Sequence, residues 1–330
     1  MIPDNEYLFS SSFLRAGEGI GTASGRTVRM LEASSAGQLY QTVAEVFQIP
    51  VPSEEKHVFD AAFSDAVEKM RGAVPDASVY DPLLYKYDCT NIKLVLKCAV
   101  QGIRSFRDFY TCGTVSAAQM EENLQKDTAQ GLPPAMTEAT EAARQEYAKT
   151  GEVRCIDLLL DQACFADMSA AANAGNVPLI QKIVCMWADF ANILTCLRIR
   201  RSGVSPEATR ALMKRAFVPG GQVGLPVLLD DEFGCADISR ISEILSGCHV
   251  RDAVRRTVAV SDISAVEKIF DEAVLAVCQP YRFKPFGPEI AVRYLLIRET
   301  ELTNGRIIAS KFSAGTDADK IRERLREVDV

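Results

Sequence analysis

Three segments of this chain carry one layout. "DCTNIKLVLKCAVQG" (88–102), "DFANILTCLRIRRSG" (189–203) and "ELTNGRIIASKFSAG" (301–315) each place an acid three residues before an asparagine and a glycine eleven residues after it. The markers are Asp88, Asn91 and Gly102, then Asp189, Asn192 and Gly203, then Glu301, Asn304 and Gly315. In the first copy Ile92, Val95, Leu96, Ala99 and Ile103 recur at three- and four-residue steps, the period of one helix face. The glycine sits where such a helix stops, because it reaches the left-handed backbone that ends a helix at little cost. Alternating runs of Val, Ile and Thr are missing, so the spacing predicts a nearly all-α chain.

The echo extends to the flanks. Upstream of each copy lies a helical segment: "VFDAAFSDAVEKM" (58–70), "IDLLLDQACFADM" (156–168) and "VEKIFDEAVLAV" (266–277). Before these come "SAGQLYQTVAEVF" (35–47), the weaker "TEATEAARQEYA" (137–148) and "DISRISEILSGC" (237–248). Helices are expected again after each glycine, from Ser105, Ser205 and Thr316, with Ser205 and Thr316 as N-caps. Pro178 and Pro288 open long segments at the position a helix tolerates best. The glycine-rich stretches 16–25, 128–135 and 217–226 are read as connectors. The unit therefore holds about four helices and recurs near 27–112, 130–221 and 230–330. A period of about a hundred residues exceeds that of stacked solenoids, roughly 20 to 50. Three similar helical domains are expected, at 1–113, 114–225 and 226–330. The recurring asparagine, a poor helix former, implies a polar contact between helices or domains. The third copy is the weakest, with Gly305 in place of Ile92 and Ser310 in place of Lys97.

Little in the chain points to chemistry. The 330 residues are 48% apolar and 25% charged, a globular composition, and the net charge of -7 disfavours phosphate backbones or anionic lipid as main partners. No apolar run near bilayer-spanning length and no secretory leader are evident. None of the ten cysteines form a Cys-x-x-Cys pair, which suits scattered buried thiols in a reducing compartment. The stretch "GEGIG" (17–21) lacks the third glycine and the preceding strand of a dinucleotide site, and "PGGQVG" (219–224) fails the same tests. His57 and His249 have no second histidine at metal spacing. Cys248 and His249 are a nucleophile and base by type, but adjacent residues rarely face one another on a helix. Asp157 and Asp161 share a helix face and could hold a cation or exchange protons, or simply pair with basic residues. Asp230, Asp231 and Glu232 read as a charged helix start. No catalytic, cofactor-binding or metal-ligating residues are assigned, which favours a structural or coupling protein.

The segment "YDPLLYKYDCTNIKLVLKCAVQG" (80–102) resembles a characteristic stretch of the C subunit of V-type and archaeal-type rotary ATPases, a family that includes the eukaryotic d subunit. "IDLLLDQACFADM", "DFANILTCLRIRRSG", "FVPGGQV" (217–223) and "FGPEIAVRYLLIRETELTNGRIIASKFSAG" (286–315) resemble its later signatures in the same order. The glycine-rich "LRAGEGIGTASGRTV" departs from the nearly continuous helix usual there. The resemblance implies three similar helical domains in a funnel. It implies a non-catalytic rotor adapter in the central stalk, cytoplasmic and peripheral to the membrane. The adapter would receive the shaft subunits D and F, sit on the membrane proteolipid ring and transmit torque, with no cofactor, no nucleic acid and no small-molecule substrate. A general helical scaffold and a helical enzyme with an inter-domain cleft are the competing expectations.

Overall fold

The computed structural model describes residues 2–18, 23–106, 108–229, 245–257 and 262–328. Among these residues there is no strand. The helices run α1 Leu8–Glu18, α2 Ala23–Leu31, α3 Ala36–Phe47, α4 Val58–Ala73, α5 Tyr85–Val100, α6 Ala117–Lys126, α7 Pro134–Thr150, α8 Arg154–Gly175, α9 Pro178–Arg201, α10 Pro206–Ala216, α11 Leu225–Leu228, α12 Arg251–Thr257, α13 Ile263–Ala276, α14 Pro288–Ala314 and α15 Ala318–Arg324.

Local chemistry sets many of these boundaries. Pro134, Pro178, Pro206 and Pro288 occupy the first turn of their helices, where the missing N–H would have no partner anyway. Ser35, Ser116 and Ser205 cap α3, α6 and α10 by accepting the amides of Gln38, Gln119 and Ala208. Gly102, Gly203 and Gly315 adopt φ of 73°, 70° and 62°, so all three signature helices end as expected.

Some expectations fail. Residues 103–106 and 108–110 are not helical, and the next helix begins only at Ala117. The stretch after Gly102 mixes aromatic and charged residues without a helical stripe, and Phe109 is buried as coil. Thr316 is no cap; its hydroxyl turns back to the Ser310 carbonyl. The connector expected at 16–25 is helical at residues 16–18 and 23–25. The expected helix start at 230–232 and residues 237–244 of the expected helix 237–248 lie outside the described residues, and 245–247 form a turn.

Contacts group the chain into two compact units, one of residues 1–77 with 264–330 and the other of residues 78–263. In the first, α14 is the spine. It is 27 residues long, and α1, α2, α3, α4 and α15 all pack on it. Gly305 lies where α14 meets α2 and α4. A Cβ there would stand 2.6 Å from Phe59 Cε1 and 3.3 Å from Met30 Sδ. Glycine at this point is a packing requirement, since both neighbours are buried.

In the second unit α8 is central and touches α5, α7, α9 and α10. α5 and α8 run antiparallel. Lys93 Nζ meets Asp161 Oδ1 at 2.5 Å and Lys97 Nζ meets Asp157 Oδ1 at 2.6 Å, so the register on α8 descends as that on α5 climbs. Cys89 and Cys164 cross reciprocally, each thiol directed at the carbonyl one turn before the other cysteine, Leu160 and Tyr85. α9 is long and apolar enough to cross a membrane, but most of that stretch is buried within the protein.

Replacing Gly305 with alanine gains about 1 kcal/mol of helix propensity. Overpacking against buried neighbours costs about 1–3 kcal/mol. Because the contact falls on a ring that has no free side to move toward, G305A is expected to lower stability by about 1–2 kcal/mol in urea denaturation. An unchanged or raised midpoint contradicts this packing.

Candidate functional site

A carboxamide sets an NH2 donor group beside a C=O acceptor at a spacing close to that of a peptide unit. Asn91, Asn192 and Asn304 use it identically. Asn91 Nδ2 donates to the Tyr110 carbonyl and Oδ1 accepts the Tyr110 amide, both at 2.9 Å. Asn192 holds Val218 the same way at 2.9 and 2.8 Å. Asn304 holds Arg326 at 2.9 Å in both directions. All three asparagines are buried. Each partner belongs to a non-helical segment that runs back along the signature helix. The asparagines therefore do not bridge helices or domains, as their recurrence suggests. Each supplies one ladder rung to a stretch of chain that no strand is there to pair.

The acid three residues earlier completes the fastening. Asp88 Oδ2 accepts the Thr114 amide at 3.0 Å and its hydroxyl at 2.6 Å, and Oδ1 accepts the Val115 amide at 3.0 Å. Asp189 Oδ1 accepts the Val223 amide at 2.7 Å. In both copies a glycine lets the backbone come this close. A Cβ on Gly113 would lie 2.2 Å from Asp88 Oδ1, and one on Gly221 would lie 2.1 Å from Asp189 Oδ1. In the third copy the loop amides are replaced by guanidinium groups. Glu301 accepts from Arg26 Nε at 2.6 Å and from Arg298 Nη1 at 2.8 Å. Burial pushes all three carboxyls above their ordinary range. The loop N–H groups oppose it at Asp88 and Asp189, helped by the Thr114 hydroxyl at Asp88, and Arg298 and Arg26 oppose it at Glu301.

These groups bond within their own chain, although Asp189 Oδ2 is buried without a hydrogen-bond partner among the described residues. Asp157 and Asp161 pair with Lys97 and Lys93. The Cys248 thiol is pushed up by burial, and the His249 amide donates to Gln222 Oε1. Residues 17 and 18 of "GEGIG" are helical, and 19–21 lie outside the described residues. The nine cysteines among the described residues are free thiols, seven of them buried. No group of three His, Cys, Asp or Glu side chains among the described residues could hold a metal. A cavity of about 300 Å³ in the first unit is lined by Phe13, Phe47, Tyr294, Lys69 and Arg298 among others. Its charges are spoken for: Lys69 pairs with Asp65 at 2.6 Å and Arg298 with Glu301.

The glycines at 113 and 221 were legible in principle as "GTV" and "GQV", but the loops differ in length. Asn to its backbone partner spans 19 residues in the first copy and 26 in the second. Helix α10 occupies the longer one.

The family described as ATP synthase (C/AC39) subunit matches residues 27–324. The C subunit of the A-type ATP synthase from Pyrococcus horikoshii is 24% identical over 286 residues, covering 83% of this chain and 76% of that protein. Its namesake from Thermococcus gammatolerans is 23% identical over 285 residues, with 84% and 76% covered. The one from Desulfurococcus is 30% identical over 152 residues, 46% of this chain and 40% of that protein.

Two predictions test the clasps. Gly102→Ala meets nothing within 4 Å and carries only its positive φ, a cost of about 1 kcal/mol. Gly113→Ala and Gly221→Ala must expel a buried carboxylate from its amides and are expected to cost about 3 kcal/mol or more. Equal midpoint shifts for the two classes in denaturation contradict the clasp. The second concerns pH. The folded pKa of Asp88 exceeds the unfolded one, so the cost of its charge is full above the raised value and absent below the unfolded value. Just above the ordinary carboxylate range, the stability advantage of the wild type over Asp88→Asn is expected to shrink as pH rises. Urea denaturation of both proteins across that window checks the sign, and a growing advantage overturns it.

Proposed function

The chain belongs to the ATP synthase (C/AC39) subunit family, and from that premise we propose that it is a non-catalytic central-stalk component of a rotary ATPase. In this reading it is the adapter between the shaft subunits D and F and the membrane proteolipid ring. It carries torque between ATP turnover in the heads and ion movement in the membrane. It lies on the cytoplasmic side, peripheral to the membrane, and holds no nucleotide, cofactor or substrate of its own.

The observation that carries the reading is the triple clasp, within a family match that spans most of the chain. The three asparagine clasps, 91 to 110, 192 to 218 and 304 to 326, fall one in each of the spans 1–113, 114–225 and 226–330. That supports a division into three related helical domains; the funnel around an axle is what the family resemblance adds to this reading. Torque transmission requires a body that does not shear. Close-packed helices whose returning segments are tied to them resist shear better than helices joined by free loops. An enzyme reading would need a cleft with uncommitted ionisable groups, and the lining charges of the described cavity are already paired.

Affinity purification of the tagged chain from native membranes tests this. Catalytic heads, shaft subunits and the proteolipid ring are expected to co-purify in fixed ratio. Recovery of the chain without any of them sinks the proposal.

A further inference from the structure

Helix α1 is inside out. Its inward face is Ser10, Ser11 and Leu14, with the two serines only 2% exposed. Its outward face is Leu8, Phe9 and Phe13, exposed by 53%, 67% and 44%. Residues 8, 9, 12 and 13 share one side of a helix, with Ser12 and Phe13 one turn beyond Leu8 and Phe9. The Phe9 and Phe13 rings stack at 5.9 Å. A helix turned about its own axis would bury the rings and wet the hydroxyls, which the hydrophobic effect favours. The fold holds it the other way. The small inward side chains let α1 lie against α4 and α14. Arg298 Nη2 donates to the Gly17 carbonyl at 2.7 Å. Arg15 donates to the carbonyls of Arg282 and Lys284. Between those two anchors stands Phe283, 84% exposed, and Lys284 returns to Asp4 at 3.1 Å. The segment that carries Phe283 is thus fastened to Arg15 in α1 and to Asp4 in the turn that precedes it.

From this geometry we propose that the outer face of α1, with Phe283 beside it, is a docking surface for an uncharged apolar helix face on another subunit of the rotary assembly. The inference rests on the function proposed above but is not contained in it, since α1 precedes residues 27–324, which the family matches. Charge points to the occupant. No ionisable side chain other than Tyr7 occurs from residue 7 to 14, and the flanking Asp4 and Arg15 are committed to the 282–284 segment, which leaves exposed charge at the edge of the patch, where Glu6 stands and the Arg282 guanidinium lies 5.5 Å from the Phe283 ring centroid. Size points the same way. At about 200 Å² per aromatic ring the four side chains offer roughly 400–500 Å². That is about half of the ~800 Å² each partner gives to a stable interface. Such a patch does not hold a second copy of this chain by itself. It suits a subunit already held by other contacts. A lipid surface fits less well, because exposed Glu6 and the -7 net charge repel anionic headgroups. The rows Leu8–Ser12 and Phe9–Phe13 are i, i+4 ridges, the form that packs into the grooves of a helix.

Two measurements on the assembled ATPase test this. With p-benzoylphenylalanine at position 9, irradiation is expected to yield an adduct to an apolar helical stretch of another subunit. An adduct to lipid, to a second copy of this chain, or to nothing overturns the proposal. In the second, the wild type and an F9S/F283S variant are titrated back onto membranes stripped of the chain. The variant, with a melting temperature close to the wild type's because these two rings are mostly exposed, is expected to show a Kd at least tenfold weaker. Equal Kd values overturn the docking surface alone. A wild type that fails to rebind at all overturns the function proposed above, and the docking surface with it.

Discussion

One carboxamide against one peptide unit is the interaction on which this structure depends. Long helices bury their apolar stripes against each other readily, but the chain must then return between them, and its backbone groups must be satisfied without a sheet. The asparagine of each signature helix answers that need with a donor and an acceptor in one plane. The acid one turn earlier takes up further amides or, in the third copy, two guanidinium groups. Both side chains are buried and bond within the chain. The recurring polar residues are the means by which the returning coil is tied to the helix.

The third copy shows how such a device drifts. Glu301 is one methylene longer than the aspartates and faces Arg26 and Arg298 in place of loop amides, yet Asn304 keeps its grip on Arg326. The asparagine geometry survives while the acid changes partner. The carboxamide pairing has a single workable geometry, whereas a carboxylate accepts from any donor that comes within reach. Gly305, which breaks the apolar pattern, is explained by the neighbours Phe59 and Met30 and not by loss of the repeat.

What could be read from residues alone follows from this. The helices, their proline starts and their glycine stops depend on local backbone preferences, so Pro178, Pro288, Gly102, Gly203 and Gly315 announced them. The pairing of Asp157 and Asp161 with lysines was one of the readings that sequence left open. The clasp partners were not legible, because Tyr110, Val218 and Arg326 contribute backbone only and have no side-chain type in common. The seven-residue difference between the first two loops hid the matching glycines. The segment after Gly102 misled because Phe109 is buried as coil, which periodicity does not report. Nor does composition warn that α1 turns its serines inward.

A body fastened in this way is suited to carry force, and the central claim is that it does so between two machines. The most direct measurement compares ATP hydrolysis with ion transport in vesicles holding the rotary ATPase, first with this chain removed and then with it restored. The account predicts that removal leaves the heads hydrolysing ATP while transport per ATP falls to background, and that the restored chain recovers the ratio. Transport that stays coupled in its absence would contradict it.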